Sequence, residues 1–438
     1  MALPVTGGHG RKRSPLVAVG VSLLFSFLLA GTASAADYSL SSRTYLQYYQ
    51  RELAGGQKDR YAPAFEYLSA DASNLGGSPL SFHFYGWGRA DLGDPTGSGK
   101  ESGELGSAYL EYLYPKGNAQ LKLGRFFLTE GAATEIIDGG FFKVTTPLGI
   151  GISGYGGSPV EHSILDNTDE GRSLYGGRVF FVRSGFVELG ASYLKEKGPF
   201  QGKDRELYGG DLWLGVAGPV QLTGQATYNR ATKAMASQRY AVRVLLGARL
   251  DLSAGYETYS YKDLFQNALH PAFVSPSIDN SDKVRSVFGV VDWEIAQGWT
   301  LELAAKNLQH DSAATGNARR GEVGIRHRYN DGKDTAGISA AAIAADRDEN
   351  EYREFRGFAT YSPSKMRFTV DALAQQYKQE INGKKNAYQV VASAGYRVLP
   401  SLQLSGDLTY TQSPDFSHDY AGLIRATLDL GTGTGGTK

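Results

Sequence analysis

Polar and apolar residues alternate along most of this chain, and this period of two constrains its fold more than any other feature. From Tyr240 to Tyr256 every even-numbered residue is aliphatic, alanine or tyrosine. The odd-numbered positions between them carry arginine, aspartate, serine and glycine among a few apolar residues. Because successive side chains of a β-strand point to opposite faces, the pattern predicts strands with one apolar and one polar face.

The stretch from Tyr240 to Tyr256 is longer than one strand needs to cross a bilayer, so a turn must lie inside it. A three-residue turn keeps its flanking residues on the same face, and a turn at 247–249 pairs Leu246 with Leu250. Short and long connections then alternate along the chain. Further short turns are predicted at 217–219, 296–298 and 399–401, and longer polar connections at 230–237, 262–282, 310–318, 346–351, 380–385 and 412–417.

Strands of about ten residues, joined alternately by short turns and longer loops, are typical of bacterial outer-membrane barrels. In lipid, only a closed sheet satisfies every backbone polar group. We therefore predict an all-β fold, a transmembrane antiparallel up-and-down β-barrel of about 20 strands (roughly 18–22), with short periplasmic turns and longer outer loops. A soluble β-sandwich or β-helix is the alternative, but neither accounts for one turn design at one edge of the sheet.

The first 35 residues have the layout of an export signal. Arg11, Lys12 and Arg13 form a positive segment, an apolar stretch follows at 16–30, and Ala33-Ser34-Ala35 resembles a cleavage site. We expect residues 1–35 to be a cleaved signal peptide and residues 36–438 to form a single barrel in the outer membrane of a Gram-negative bacterium. An uncleaved membrane helix is the alternative, although the apolar stretch is shorter than the about 20 residues that a span requires.

Composition and motif content exclude several classes of function. The chain has 45 basic and 45 acidic residues, without the clustered basic surface that nucleic acid binding needs. It has no cysteine, which removes thiolate metal sites, covalent haem attachment and disulfides. No HxH or HExxH pair occurs among the histidines, and no nucleophile and base are placed for catalysis. We expect no enzyme activity, no metal and no cofactor.

The stretch LSFHFYGWGRADLGD at 80–94 illustrates the two predicted faces. Its even-numbered members include Leu80, Phe82 and Phe84, which we assign to lipid, whereas its odd-numbered members are polar or aromatic. We interpret the second set as an interior polar-aromatic lattice, with a stacking surface for a sugar, or a contact for a protein threaded through the pore, as the alternative. The predicted lumen wall consists of His83, Tyr85, Trp87, Arg89, Asp91, Arg239, Arg243 and Arg249.

The alternation fades between residues 129 and 172, where the chain becomes rich in glycine. We predict that this segment is the third outer loop and that it folds into the lumen and narrows it. Two additional strands near 141–144 and 149–155 are the competing interpretation and would give a 22-stranded barrel. Acidic side chains in a pore favour cations, but the arginines of the wall oppose this preference. The predicted constriction residues are Glu130, Glu135, Asp138, Lys143, Glu161 and Asp166.

Two tryptophans flank a predicted short turn at the periplasmic edge. Trp293 and Trp299 lie where an aromatic girdle would meet the membrane interface. Cross-strand packing would also place aromatic residues there, so both interpretations stay open.

Four motifs carry a resemblance to known barrels: GWGRADL at 86–92, LGRFFLTEGA at 123–132, IIDGGFF at 136–142 and YGGSPV at 155–160. The exported chain resembles the general porin group of Gram-negative outer membranes. More narrowly, the motifs resemble the porin-like barrels of deltaproteobacteria, some of which sheathe multihaem cytochromes in electron conduits across the outer membrane. Barrels of this kind usually end in an aromatic residue, whereas this chain ends LDLGTGTGGTK.

Two functions follow as hypotheses. The first is a porin-like channel for small hydrophilic solutes or ions, whose partners are those solutes and outer-membrane lipid. The second, which the resemblance implies, is the barrel sheath of a porin–cytochrome complex, with periplasmic and surface multihaem cytochromes as partners. No nucleic acid partner is expected under either hypothesis.

Overall fold

A computed structural model of the protein describes residues 37–52, 58–93, 101–160, 172–198, 204–216, 218–265, 282–312, 316–414 and 418–431. Most of these residues belong to one antiparallel β-sheet. A single-turn helix, α1 (Tyr261–Phe265), and two short 3₁₀ turns complete the regular structure of this part of the chain. No helix among the described residues is long and apolar enough to cross a membrane.

The sheet contains 23 segments in chain order. They are β1 (Asp37–Glu52), β2 (Lys58–Tyr61), β3 (Pro63–Ser73), β4 (Leu80–Asp91), β5 (Glu101–Leu113), β6 (Ala119–Glu130), β7 (Ala133–Thr145), β8 (Ile150–Pro159), β9 (Ser173–Arg183), β10 (Val187–Lys197), β11 (Arg205–Val216), β12 (Val220–Asn229), β13 (Ala234–Leu246), β14 (Leu250–Ser260), β15 (Lys283–Ala296), β16 (Trp299–His310), β17 (Ala318–Tyr329), β18 (Asp334–Ala345), β19 (Tyr352–Tyr361), β20 (Met366–Ile381), β21 (Lys384–Leu399), β22 (Leu402–Gln412) and β23 (Asp419–Gly431).

The segments β2 and β3 are two parts of one strand. Both pair with β1, on either side of Ala62, so the sheet has 22 strands. Strand β1 also pairs with β23, from Ser39 opposite Gly431 to Gln50 opposite Tyr420, and this pairing closes the sheet. The prediction of an all-β antiparallel up-and-down barrel is therefore confirmed, with 22 strands rather than about 20.

The two ends of the barrel differ. At the terminal end, where β1 begins and β23 ends, all the connections are turns of two to six residues. At the opposite loop end most connections are longer, although those at 131–132, 230–233 and 382–383 are short. The loops predicted at 230–237 and 380–385 are therefore shorter than expected, because β13 and the β20–β21 hairpin extend into them.

The predicted three-residue turns occur in two of the four places. Leu246 pairs with Leu250, and Val216 pairs with Val220, as expected. At the other two places a two-residue turn is combined with a register shift, where Ala296 pairs with Trp299 and Leu399 with Leu402. The bulge adds the residue that the shorter turn lacks, so the strands keep the predicted faces.

The two faces of the barrel wall have different compositions. Arg178 on β9 lies 3.6 Å from Glu130 on β6, three strands away, and a contact between such distant strands can form only across the concave inner face. Other charged residues, such as Arg243 and Arg356, lie on the same inward parity. The opposite parity carries exposed apolar side chains, including Leu408, Ile338 and Ile424 with 72%, 65% and 61% of their surface exposed. The alternation in the sequence thus corresponds to an apolar outer face and a polar inner face.

The prediction of one long loop at 129–172 is wrong. Strands β7 and β8 lie inside this segment and pair with β6, with each other and with β9. The competing interpretation with two additional strands is the one that the structure bears out. The alternation fades because the inner face is also apolar here: Ile137, Phe141 and Tyr155 point inward and are buried.

Candidate functional site in the barrel lumen

Strands β6 and β7 leave the barrel wall near the loop end. The pairing of β5 with β6 stops where Ala108 lies opposite Arg125, and that of β7 with β8 stops where Ile137 lies opposite Pro159. Between these points β6 and β7 pair only with each other, up to Glu130 opposite Ala133. Residues 126–135 therefore form a two-stranded projection, which we call the finger.

The tip of the finger lies against the inner face of β10 and β11. The backbone N–H of Ala132 donates a hydrogen bond to Oγ of Ser192 on β10, with an N···O distance of 2.9 Å. A Cβ atom placed on Gly209 of β11 would come within 2.9 Å of the Ala132 Cβ. Because β10 is three strands further along the sheet than β7, the finger must fold inward to reach it. The finger therefore occupies part of the lumen.

Apolar burial holds the finger against the wall. Phe126 and Leu128 of the finger are 1% and 3% exposed, and they pack with inward-facing residues of the wall. Full burial of each such side chain contributes about 1.5–3 kcal/mol as an upper estimate. The cluster consists of Phe126, Leu128, Ala133, Ile137, Phe141, Tyr155, Leu174, Leu194 and Leu207.

A buried ionic network also anchors the finger to the wall. The guanidinium group of Arg178 on β9 lies 3.6 Å from the carboxylate of Glu130, 2.9 Å from that of Glu188, and forms an ion pair with Asp211. The side chains of Arg178 and Glu130 are only 7% and 6% exposed. Lys143 lies 3.9 Å from Glu130 as well. Charges buried to this extent depend on their partners, so the network fixes the finger in one position.

A second network of ion pairs joins the β7 strand of the finger to the wall. Glu135 forms an ion pair with Arg205 on β11, although the two are 70 residues apart in the chain. Arg205 also lies 3.3 Å from Glu196, whose side chain is 3% exposed and which in turn pairs with Arg172. The finger is thus tied to the wall on both sides by residues that come from distant parts of the sequence.

Glycines allow the chain to bend where the finger leaves the wall. Gly124 has a φ of 126°, which side-chain-bearing residues rarely adopt, and a Cβ atom there would overlap the carbonyl oxygen of Ala108. Gly139 lies opposite Gly124 on β7, and a Cβ atom on it would overlap the backbone of Gly156. The motifs LGRFFLTEGA, IIDGGFF and YGGSPV supply these glycines and therefore form the hinge.

Arg125 covers the gap that the finger leaves in the wall. Its guanidinium group donates to both carboxylate oxygens of Asp138 at 2.7 and 2.6 Å, and to the carbonyl oxygen of Leu105 on β5 at 3.0 Å. That carbonyl lies in the part of β5 that is not paired with β6. The Arg125 side chain thus bonds to the backbone of β5 where the pairing of β5 with β6 has ended.

The structure places the predicted constriction residues in three groups. Glu130, Glu135 and Lys143 point inward and take part in the networks that anchor the finger. Asp138 does not, because it has the outward parity of Phe142 and pairs with Arg125 at the hinge. Glu161 and Asp166 lie outside the described residues.

Five predicted wall residues share the inward parity of β4. His83 lies 2.6 Å from Asp71 and 3.1 Å from Glu111, and Arg89 lies 3.4 Å from Asp91. Tyr85 and Trp87 complete the row, next to aromatic residues of β3. Their role in lining a pore remains a prediction.

The three predicted wall arginines are not equivalent. Arg239 and Arg243 lie on the inward parity of β13, and Arg243 pairs with Asp251 on β14. The placement of Arg249 on the wall is wrong, because this residue belongs to the 247–249 turn at the terminal end, where its carbonyl accepts a hydrogen bond from Glu294.

The two candidate girdle residues point outward beside a terminal-end turn. Trp293 and Trp299 are 48% and 41% exposed, and Trp299 stacks on His327 with 4.2 Å between ring centres. This position is compatible with a membrane interface, and the girdle remains a prediction.

Several residues of the site were not foreseen from the sequence. Arg178, Arg205 and Glu196 anchor the finger, yet each looks like an ordinary inward charge on an alternating strand. The paired glycines of the DGG and YGG motifs were a usable signal, because they mark a bend in the wall.

Comparison with known proteins supports the fold. A scan of protein-family models and a search of curated protein sequences found no match. Among solved structures, the chain is similar to the translocation pore of the P pilus usher PapC, with a TM-score of 0.51 and 10% identity over 90% of this chain and 99% of that chain. OccK8 (OprE) of Pseudomonas aeruginosa gives 0.45 and 11% over 91% and 98%, and OccAB2 of Acinetobacter baumannii 0.44 and 10% over 91% and 98%. At these identities the similarity shows a large β-barrel fold and nothing finer.

Proposed function

We propose that this protein is a porin-like channel of the outer membrane of a Gram-negative bacterium, which passes small hydrophilic solutes or ions. The observation that carries the proposal is the finger, which projects from the wall into the lumen of a closed 22-stranded barrel. A barrel of this size is too wide to be filled by its own wall side chains, so an in-folded segment is needed to narrow it. The apolar outer face and polar inner face suit a wall between lipid and water.

The networks around the finger predict weak charge selectivity. They contain five carboxylates (Glu130, Glu135, Glu188, Glu196 and Asp211) and four cations (Lys143, Arg172, Arg178 and Arg205). Because most of these charges are paired within hydrogen-bond distance, little net charge remains to select a passing ion. The constriction would therefore sort solutes mainly by size.

The position of the finger in the lumen favours the channel hypothesis over the cytochrome-sheath hypothesis. A multihaem cytochrome held in the barrel would need the lumen volume that the finger occupies. The sheath hypothesis therefore requires the finger to be displaced, which would break both anchoring networks.

Ion conductance of the purified protein in planar bilayers tests the proposal. We expect stepwise current increases as single barrels insert, with a permeability ratio of K⁺ to Cl⁻ near one. Heat-denatured protein is the control. Silent insertion of folded barrels would contradict the channel, and co-purification of a haem-staining protein from native membranes would favour the sheath.

A further inference from the structure

A groove of about 1100 Å³ lies on the outer face of the wall, across strands β9 to β14. Arg178 and Asp211 point into the lumen, so the next residues along their strands, Val179 and Leu212, point outward and line the groove. All the outward residues of the lining are aliphatic, aromatic, alanine or glycine. The groove can therefore bury the acyl chains of a lipid.

A row of small residues gives the groove its depth. Ala191 on β10 lies opposite Gly210 on β11, which lies opposite Ala226 on β12. Outside the two chain neighbours of Gly210, no heavy atom lies within 4 Å of the place its Cβ would take. The pair Leu189 and Leu212 borders this row toward the terminal end. The row is thus a depression beside larger apolar side chains.

The next two outward rows, toward the loop end, consist of tyrosines and then charged residues. Tyr193 lies opposite Tyr208, which lies opposite Tyr228, and the first two rings are 5.4 Å apart between centres. Lys195 and Glu206 lie opposite each other in the following row. Tyrosines prefer the boundary between hydrocarbon and head groups, and lysines extend their ammonium groups into the head-group layer. The groove is therefore continuous with a surface suited to a lipid head group.

The cations of this surface outnumber its carboxylates. Lys195 lies 3.2 Å from Asp204, and Arg230 lies 2.8 Å from Glu206. Lys197 is a third cation, two residues beyond Lys195 on the same outward face of β10. One positive charge thus remains after the two ion pairs are counted.

Lys197 carries this remaining charge. Its side chain is exposed, and its ammonium group lies 5.5 Å from the centre of the Tyr175 ring. Within the described part of the chain, no carboxylate forms an ion pair with it. An ammonium group binds phosphate as a compact point charge. Lys197 is therefore available to a phosphate group at the membrane surface.

The spacing of these features matches the length of a lipid. Ala191 and Lys197 are six residues apart on one strand, which corresponds to about 20 Å. One leaflet of a bilayer, with its head groups, is about as thick, since the whole bilayer measures about 40–45 Å. A lipid with its phosphate at Lys197 can therefore place its acyl chains in the groove.

We propose that the groove and Lys197 form a binding site for one anionic, phosphate-bearing lipid of the membrane. The acyl chains pack over Ala191 and Gly210, and the phosphate pairs with Lys197. Because one positive charge is in excess, the site prefers an anionic head group to a zwitterionic one. The inference goes beyond the proposed function: it requires a barrel in a membrane, but not one that conducts.

Native mass spectrometry of the folded protein in detergent tests the site. Dimyristoyl phosphatidylglycerol and dimyristoyl phosphatidylcholine have the same chains and differ in head-group charge. We expect one phosphatidylglycerol per barrel, held about fivefold more tightly than phosphatidylcholine, as for one basic residue at a membrane surface. Dihexanoyl phosphatidylglycerol and inorganic phosphate should bind much more weakly, because they leave the groove empty. Equal binding of the two long-chain lipids, or strong binding of phosphate alone, would overturn the inference.

Substitutions assign the binding to the site. Lys197→Gln should remove the preference for phosphatidylglycerol, whereas Lys378→Gln, on β20 and outside the groove, should preserve it. Gly210→Leu should weaken binding of both long-chain lipids severalfold by filling the groove. Gly88→Leu is its control, because Gly88 on β4 also has open space around the place of a Cβ and lies outside the groove.

Three further results decide between the lipid and other occupants. Unchanged lipid binding in folded Lys197→Gln and Gly210→Leu proteins would overturn the inference. A lipid-free dimer that Gly210→Leu dissociates would assign the groove to a second copy of the chain and would also overturn it. A protein that binds the lipid but does not conduct would contradict the proposed channel and support the lipid site.

Discussion

Gly124 determines the direction in which β6 leaves the barrel wall. We predict that Gly124→Ala prevents normal folding, because a Cβ atom would overlap the Ala108 carbonyl and a φ of 126° is strained for alanine. The heat-modifiable migration of folded barrels on gels measures this. Gly210→Ala is the matched control, since outside its two chain neighbours no heavy atom lies within 4 Å of the place its Cβ would take, and it should fold normally. A Gly124→Ala protein with wild-type migration would show that the hinge does not need glycine.

Arg178 balances three carboxylates in a buried setting. Arg178→Met removes a positive charge that balances the buried carboxylate of Glu130. Loss of one partner of a buried ion pair typically lowers the free energy of unfolding by about 3–5 kcal/mol. We expect a marked decrease in the free energy of unfolding, measured by urea titration. Arg356→Met breaks a more exposed pair with Asp371 and should cost about 1 kcal/mol or less. Equal losses in the two variants would argue against a special anchoring role for Arg178.

At the scale of elements, the finger makes a geometric prediction that a crosslink can check. Ala132 and Gly209 are close enough in space for a disulfide after a small backbone adjustment. Because the chain has no cysteine, the double variant Ala132→Cys/Gly209→Cys can form only this intramolecular bond. We expect it to form spontaneously, as shown by thiol titration with and without reductant. Ala132→Cys/Gly321→Cys should keep two free thiols, and a failure of the first pair to crosslink would place the finger elsewhere.

The strands show what the sequence could and could not predict. Strands such as β13 and β14 separate apolar from polar residues cleanly, so their faces and the turn that joins them were predictable from Tyr240–Tyr256 alone. Strands β7 and β8 were foreseen only as the competing interpretation, because the finger covers their inner face and makes Ile137 and Phe141 as buried as ordinary core residues. Apolar and polar residues alternate where one face of a strand contacts water. The alternation is lost where other parts of the chain pack on that face and exclude the water.

For the whole molecule, closure depends on the pairing of β1 with β23 across twelve residue pairs. The architecture and the inner and outer faces followed from the period of two. The networks of the finger did not, because pairs such as Glu135 and Arg205 are distant in sequence and meet only when the hairpin folds inward. Prediction from sequence therefore gave the wall of the barrel, while the content of its lumen required the three-dimensional structure.

The size of the pore in a protein with a shortened finger tests the central claim most directly. Phe127 and Ile136 are cross-strand partners, so a two-residue Asn-Gly turn can replace residues 128–135 and leave the hinge in place. We predict that this variant, shown to be folded by its heat-modifiable migration, has a larger single-channel conductance and admits larger polyethylene glycols than the wild-type protein. If conductance and polymer exclusion are the same in both proteins, the finger does not constrict the lumen, and its proposed role is contradicted.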